Sequence, residues 1–386
     1  MKRFATSIVN LFSSLGLSCA LLILLALLTW LGTLEQVEFG LHEVQKKYFE
    51  SFFLVHWMGP VPIPLPGANL VMCLLFVNLI VGGMVRMRLR WSSFGVLVVH
   101  VGIALLLVAG FMKMYYSEDG HVTLFEGQRA NHFESYYRWE IAITEELGTG
   151  GFAERVVPQE DFVDVAAEGP VTLVSNELPF DLVVETFLPN CTPMPKGPMF
   201  DVEVPVVDGV FLRSLERDAQ AEANIAGAYV TAVRKSDGER IPGVLWGRAL
   251  APWTVRVDGR DWGIDLRHER YPMAFTLVLD DFTKEDHPRI AMPKSFESDV
   301  TVIEEGSERG LTISMNEPLR DEGLVVYQAS WGPATARPGD PLFSTFSVVR
   351  NPADQYPAWA CGVIAIGLLF HFLIKLAIYM IREVTS

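Results

Sequence analysis

The sequence predicts a membrane α-helical protein with an extracytoplasmic β domain: four transmembrane helices, and a large β-sandwich-like domain between helices 3 and 4. Three observations carry that reading. Hydrophobic residues make up 50% of the 386 positions and charged residues 20%, with a positive mean hydropathy of +0.27. The apolar excess gathers in runs long enough to cross lipid. Between the last two runs lies an acidic stretch with the β-branched content and turn residues of successive strands.

The runs are Leu11–Gly32, Ala68–Val85, Ser92–Met112 and Pro357–Ile381. At 1.5 Å per residue, about 18 to 25 residues span a hydrocarbon core of about 30 Å. The first run exceeds a signal-peptide core, and LGTLEQVE follows it instead of a small-x-small cleavage site, so it reads as a retained helix. Cys19 lacks the leucine three positions earlier that lipid attachment would want.

Basic residues set the orientation. Lys2 and Arg3 precede helix 1, Arg86, Arg88 and Arg90 fill the loop between helices 2 and 3, and Lys375 and Arg382 close helix 4. All fall on the cytoplasmic side if both termini are inside, as the positive-inside rule expects. The predicted organisation is therefore an N-terminal membrane domain over 1–112, an extracytoplasmic β-rich domain over 113–356, and a final helix with a short cytoplasmic tail over 357–386. The acidity behind the chain's net charge of −15 then lies in the outer block, which argues against nucleic acid as a partner. Of the four cysteines only Cys191 lies in that block, so the chain has no disulfide framework, and it has no CxxC or CxxCH motif.

Between helices 1 and 2, EQVEFGLHEVQKKYFESFF (35–53) spaces Val37, Leu41, Val44, Tyr48 and Phe52 as one face of an amphipathic helix on the outer surface. VPIPLPG (61–67) repeats proline at every second position and excludes helix. Aromatic residues Trp30, Trp91, Tyr356 and Trp359 mark the ends of the crossings. In the outer block, WEIAITEE, GPVTLVSN, GAYVTAVRK, TVRVDG, SDVTVIEEG and LTISMN read as strands. PFDLVVETF (179–187) aligns with AFTLVLDDF (274–282), pairing Phe180, Leu182, Val183, Glu185 and Phe187 with Phe275, Leu277, Val278, Asp280 and Phe282. The repeat points to two similar halves.

Two of the eight histidines, His100 and His371, lie in membrane runs. An ionisable group in hydrocarbon is a functional candidate, since an unpartnered polar atom there is costly. The alternative is a neutral imidazole bonded to a neighbouring helix, with Asn78 available. Counted from the cytoplasmic ends, His100 lies roughly 14 Å and His371 roughly 16 Å deep. Two neutral imidazoles at one depth could ligate one haem iron. Arg86, Arg88, Arg90 and Lys375 are then candidate contacts for the propionates. His42, His56, His121, His132, His268 and His287 show no metal-ligand spacing and read as surface or turn residues. The chain has no phosphate-binding loop, dinucleotide fingerprint, serine elbow or HExxH motif.

Several segments, in this order, resemble one family. They are LGTLEQ (31–36), QKKYFESFF (45–53), LPGANLVMCLLFVNLIVGG (65–83), WSSFGVLVVHVGIALLLVAGF (91–111), GHVTLFEGQ (120–128), MPKSFESDVTV (292–302), ISMNEPLRDEGLVVYQASW (313–331) and YPAW (356–359). Together they are similar to the ResB/CcsB proteins of the system II pathway of cytochrome c maturation. The third run carries that family's Gly-x-Leu-x-x-His-x-Gly pattern on Gly95, Leu97, His100 and Gly102.

The resemblance implies a bacterial cytoplasmic-membrane component of a haem-export and haem-ligation complex, a non-catalytic subunit of a holocytochrome c synthase. It implies haem b as transient cofactor and cargo, with His100 as its axial ligand from the cytoplasmic side. It also implies three protein partners: a ResC/CcsA-type membrane protein, apocytochrome c and a thioredoxin-like thiol reductant. In that family the second ligand comes from the partner, so a role for His371 goes beyond the pattern. Two other readings fit the residues alone: a bis-His membrane cytochrome b for electron transfer, and a membrane-anchored β domain acting as a binding or scaffold protein.

Overall fold

The computed structural model describes residues 2–385 apart from 89, 148–149, 198–202, 288–292, 334, 336 and 338–339. The segment MPKSFESDVTV therefore begins at a residue, Met292, outside the described residues. The chain divides into two units, Met1–Glu118 with Arg350–Ser386, and Asp119–Val349.

The first unit is helical. It opens with α1 (Lys2–Phe12) and continues with α2 (Leu15–Val44). The expected first run, Leu11–Gly32, is thus split. The Ser14 side chain caps α2 by accepting from the Gly16 backbone N–H at 3.2 Å, so Leu11 and Phe12 belong to the preceding helix.

Nor is 35–53 one separate helix. The backbone of Gly40 (φ 79°, ψ 165°) lies in a region open to glycine alone, and there the chain folds back. The returning turn, with π-helical Gln45–Glu50, packs Val44, Tyr48 and Phe49 against Gly32, where no Cβ intervenes. Val44 and Tyr48 are buried with Leu21, Leu28 and Val71, whereas Val37 and Leu41, on either side of Gly40, are exposed.

The proline-rich segment forms a strand, Val61–Pro66, antiparallel to Phe53–Met58. Then come α3 (Ala68–Asn78), extended by a π-helical stretch Leu79–Val85, and α4 (Phe94–Tyr116), entered through a 3-10 turn at Trp91–Ser93. A short α5 (Val165–Glu168) lies in the second unit, and α6 (Tyr356–Thr385) closes the chain.

Four helices are long and apolar enough to cross a membrane: Leu15–Glu50, Ala68–Val85, Trp91–Tyr116 and Tyr356–Glu383. With them the chain is a multi-pass membrane protein.

The second unit is built on two long strands, Arg129–Glu146 (18 residues) and Arg260–Asp286 (27 residues). They pair antiparallel from Trp262 opposite Glu145 to Val278 opposite Arg129, within a ten-stranded sheet. Strand alternation gives each end of this pair its own core. At one end Ile141, Ile143, Trp262 and Ile264 pack with Phe180, Leu182, Val184, Ala228 and Val230 of a separate four-stranded sheet, as in a sandwich. At the other end Phe275, Leu277 and Leu279 pack with Val300, Val302, Ile313, Phe346 and Val348. The repeated segments lie in different sheets: Phe180 and Leu182 fill one core from the four-stranded sheet, and Phe275 and Leu277 fill the other from the ten-stranded sheet.

Candidate functional site

The site is built on α4, where Gly95, Gly102 and Ala109 are buried. The first two let α6 approach to backbone contact. A Cβ at Gly95 would lie 2.5 Å from the Gly367 carbonyl oxygen, and one at Gly102 3.0 Å from that of Ala360. Small residues at this spacing are how apolar helices pack closely in lipid.

That interface fixes the register. Gly95 faces the His371 backbone, Val99 faces Gly367, and Gly102 faces Ile364. His371 is therefore level with a residue five positions before His100, a displacement of about 7.5 Å along the axis. The equal depth expected from counting inward from the helix ends does not follow from this register, because α6 runs on to Thr385, well beyond the level at which α4 begins at Phe94. His100 follows Val99 by one residue, about 100° around the helix and off the face that meets α6.

His100 instead meets the stretch that follows α3. A Cβ at Gly83 would lie 2.6 Å from its Cδ2 and 3.0 Å from its Nε2. Its Nδ1 bonds the Val96 carbonyl oxygen at 2.7 Å. An imidazole that donates Nδ1–H to a carbonyl keeps the Nε2 lone pair for a metal, the second-shell arrangement of metal-bound histidines. The helix supplies that carbonyl one turn earlier, so the anchoring is local.

Asn78, the other partner available to a membrane imidazole, is engaged elsewhere. It donates to the carbonyls of Phe12 (2.9 Å) and Ser14 (3.1 Å) and accepts from Ser18 Oγ (2.6 Å). It ties α3 to the break between α1 and α2. His371 Nδ1 is buried without a hydrogen bond.

Of the cationic candidates, Arg86 donates to Asn10 Oδ1 (2.7 Å) and Ser13 Oγ (2.6 Å), bracing the same break. Arg88, Arg90 and Lys375 are exposed and have no ion-pair partner among the described residues.

Two groups of residues escaped the sequence reading. His56 is not a surface residue: its Nδ1 lies 2.6 Å from Tyr48 Oη and 3.1 Å from Glu35 Oε1, and Lys47 Nζ contacts the same carboxylate at 2.8 Å. This cluster closes the helical hairpin at Gly40. Its only local signal was the run of ionisable residues flanking a glycine. The second group is in the β-rich unit, where His121 and His268 line a cavity and burial lowers both from the ordinary histidine range.

Four membrane-length helices with a β-rich domain between the third and the last, and an imidazole presented from the third, define a class of multi-pass membrane protein. Residues 260–343, within the β-rich unit, match the model of the ResB-like family, and the match supports assignment of the chain to the ResB/CcsB family. That family implies involvement in cytochrome c biogenesis. No curated protein matches the chain.

Proposed function

We propose that this protein is the membrane subunit of a system II cytochrome c maturation complex that takes haem from the cytoplasmic face through His100. It passes the haem to a ResC/CcsA-type partner in the bacterial cytoplasmic membrane. The observation that carries the reading is the His100 imidazole, with Nδ1 bonded to Val96 O and its Cδ2–Nε2 edge in the space that a side chain at Gly83 would fill. Bound there, haem would supply an iron with an open axial position and two anionic propionates.

This chain's residues have three tasks. The Val96 carbonyl fixes the imidazole tautomer and tilt, Gly83 leaves room for the ring edge that carries Cδ2 and Nε2, and Arg88, Arg90 and Lys375 offer charge to the propionates. Basic residues at the ends of the crossings support cytoplasmic termini and an outer β domain. The register of α4 against α6 favours a second axial ligand from the partner over His371, and so favours transfer over a permanent bis-His cytochrome. The acidic outer domain would steer a basic apocytochrome segment while a thioredoxin-like reductant keeps its thiols reduced.

The test is cytochrome c maturation in cells carrying His100→Ala, with the variant's membrane level checked by immunoblot. The proposal requires loss of holocytochrome at normal variant abundance. Undiminished maturation would remove His100 from the pathway.

A further inference from the structure

His121 and His268 lie on strands far apart in sequence, Glu118–Phe125 and Arg260–Asp286. Both strands pair with Arg129–Glu146, where His121 is opposite Glu134 and His268 opposite Trp139. The shared neighbour brings the imidazoles to a centroid separation of 6.4 Å, with their planes at 77°. His121 stacks on Tyr136 at 5.0 Å, and His268 on Trp139 at 4.0 Å. Both line one cavity of about 300 Å³, with Glu222 and Arg248 also on its wall.

In each ring Nδ1 is buried and makes no hydrogen bond. Native proteins rarely leave two neighbouring buried polar atoms unsatisfied, so the pair calls for a ligand that can take nitrogen lone pairs. Burial, the largest influence on each, lowers both imidazoles from the ordinary histidine range despite the nearby Glu134 carboxylate.

We propose that His121 and His268 together hold a copper ion in this cavity. With ring nitrogens about 2.0–2.1 Å from an ion, two imidazole centroids lie about 5 Å apart at a tetrahedral angle and about 6 Å apart when nearly opposite, so the 6.4 Å separation fits tetragonal copper and not tetrahedral zinc. No group of three or more His, Cys, Asp or Glu side chains arranged for a metal occurs among the described residues. The ion therefore has two protein ligands and keeps open positions for water or an incoming ligand. Neither residue belongs to the His100 site, so this proposal stands or falls separately from haem handling.

The test uses untagged full-length protein in detergent, stripped with a chelator and titrated with Cu²⁺, which binds most tightly in the divalent series. Equilibrium dialysis with metal analysis should find one tightly held equivalent of Cu²⁺ per protein that equimolar Zn²⁺ does not displace. Its electron paramagnetic resonance spectrum should show nitrogen coupling. His121→Gln and His268→Gln, which keep volume and polarity, should each weaken it by roughly tenfold or more. His132→Gln should retain it. A wild-type titration without that equivalent, or one equally strong in the double variant, would overturn the proposal and leave buried water as the partner of the two imidazoles.

Discussion

Gly83 and His100 are in contact across two membrane helices: a methyl group at residue 83 would lie 2.6 Å from the imidazole Cδ2. The clash falls on the movable end of a side chain, so the ring gives way before the helices do. Gly83→Ala should therefore leave the protein folded while displacing Nε2, with haem retained by the complex falling by about tenfold. Haem per protein, read by pyridine haemochrome, checks this. Full occupancy in the variant would mean that the contact has no part in holding haem.

The contacts at Gly95 are of a different kind. An added Cβ there would meet the Gly367 oxygen at 2.5 Å and the His371 nitrogen at 2.6 Å, both backbone atoms. Gly95→Ala should part α4 from α6 and cost about 1–3 kcal/mol. Gly110→Ala, on the same helix with nothing within 4 Å, should be neutral. Thermal unfolding in detergent separates the two, and equal midpoints would contradict the packing described.

In the β-rich unit Arg267 bridges Glu140 at 2.8 Å and Glu154 at 2.7 Å, with Glu140 only 4% exposed. Burial raises the Glu140 carboxyl even beside the guanidinium, so without Arg267 that group is strongly disfavoured as an anion. Arg267→Ala should destabilise the protein by about 3–5 kcal/mol, chiefly through the buried charge left behind. The Glu140→Gln/Arg267→Met pair should recover much of this. Denaturant midpoints test both, and a mild effect of Arg267→Ala would place Glu140 in contact with water.

Burial, aided by Arg270, lowers His132 below the ordinary value of 6.5. A histidine depressed in the folded state binds its proton more readily when unfolded. Its contribution to stability is thus complete above about pH 6.5 and is lost as pH falls through the lowered folded value. Chelator-treated protein should lose stability between about pH 7 and 5, above the range where carboxylates act, and His132→Asn should flatten that slope. Melting temperatures across this range decide it, and an unchanged slope in the variant would assign the loss to other groups.

Hydropathy made the crossings and the β block legible, because length and apolar content are properties of single segments. The pattern Gly95-x-Leu97-x-x-His100-x-Gly102 likewise lay within one helix. What stayed hidden depends on register or on reversal. Counting from helix ends could not see that Gly95 and Gly367 key the helices together and displace His371 from the level of His100. The apolar spacing of Val37, Leu41 and Val44 reads as one face only if Gly40 stays helical, and it does not. His121 and His268 come together solely through their common neighbour strand, a relation that spacing along the chain does not encode.

The central claim is that the imidazole of His100 reaches haem iron. The most direct measurement is the Soret spectrum of the complex copurified with its cognate partner, taken for wild type and for His100→Gly with and without added imidazole. The account predicts a Soret band in the wild type that is lost in the variant and restored by free imidazole as a substitute ligand. A band unchanged in the variant, or insensitive to imidazole, would contradict it.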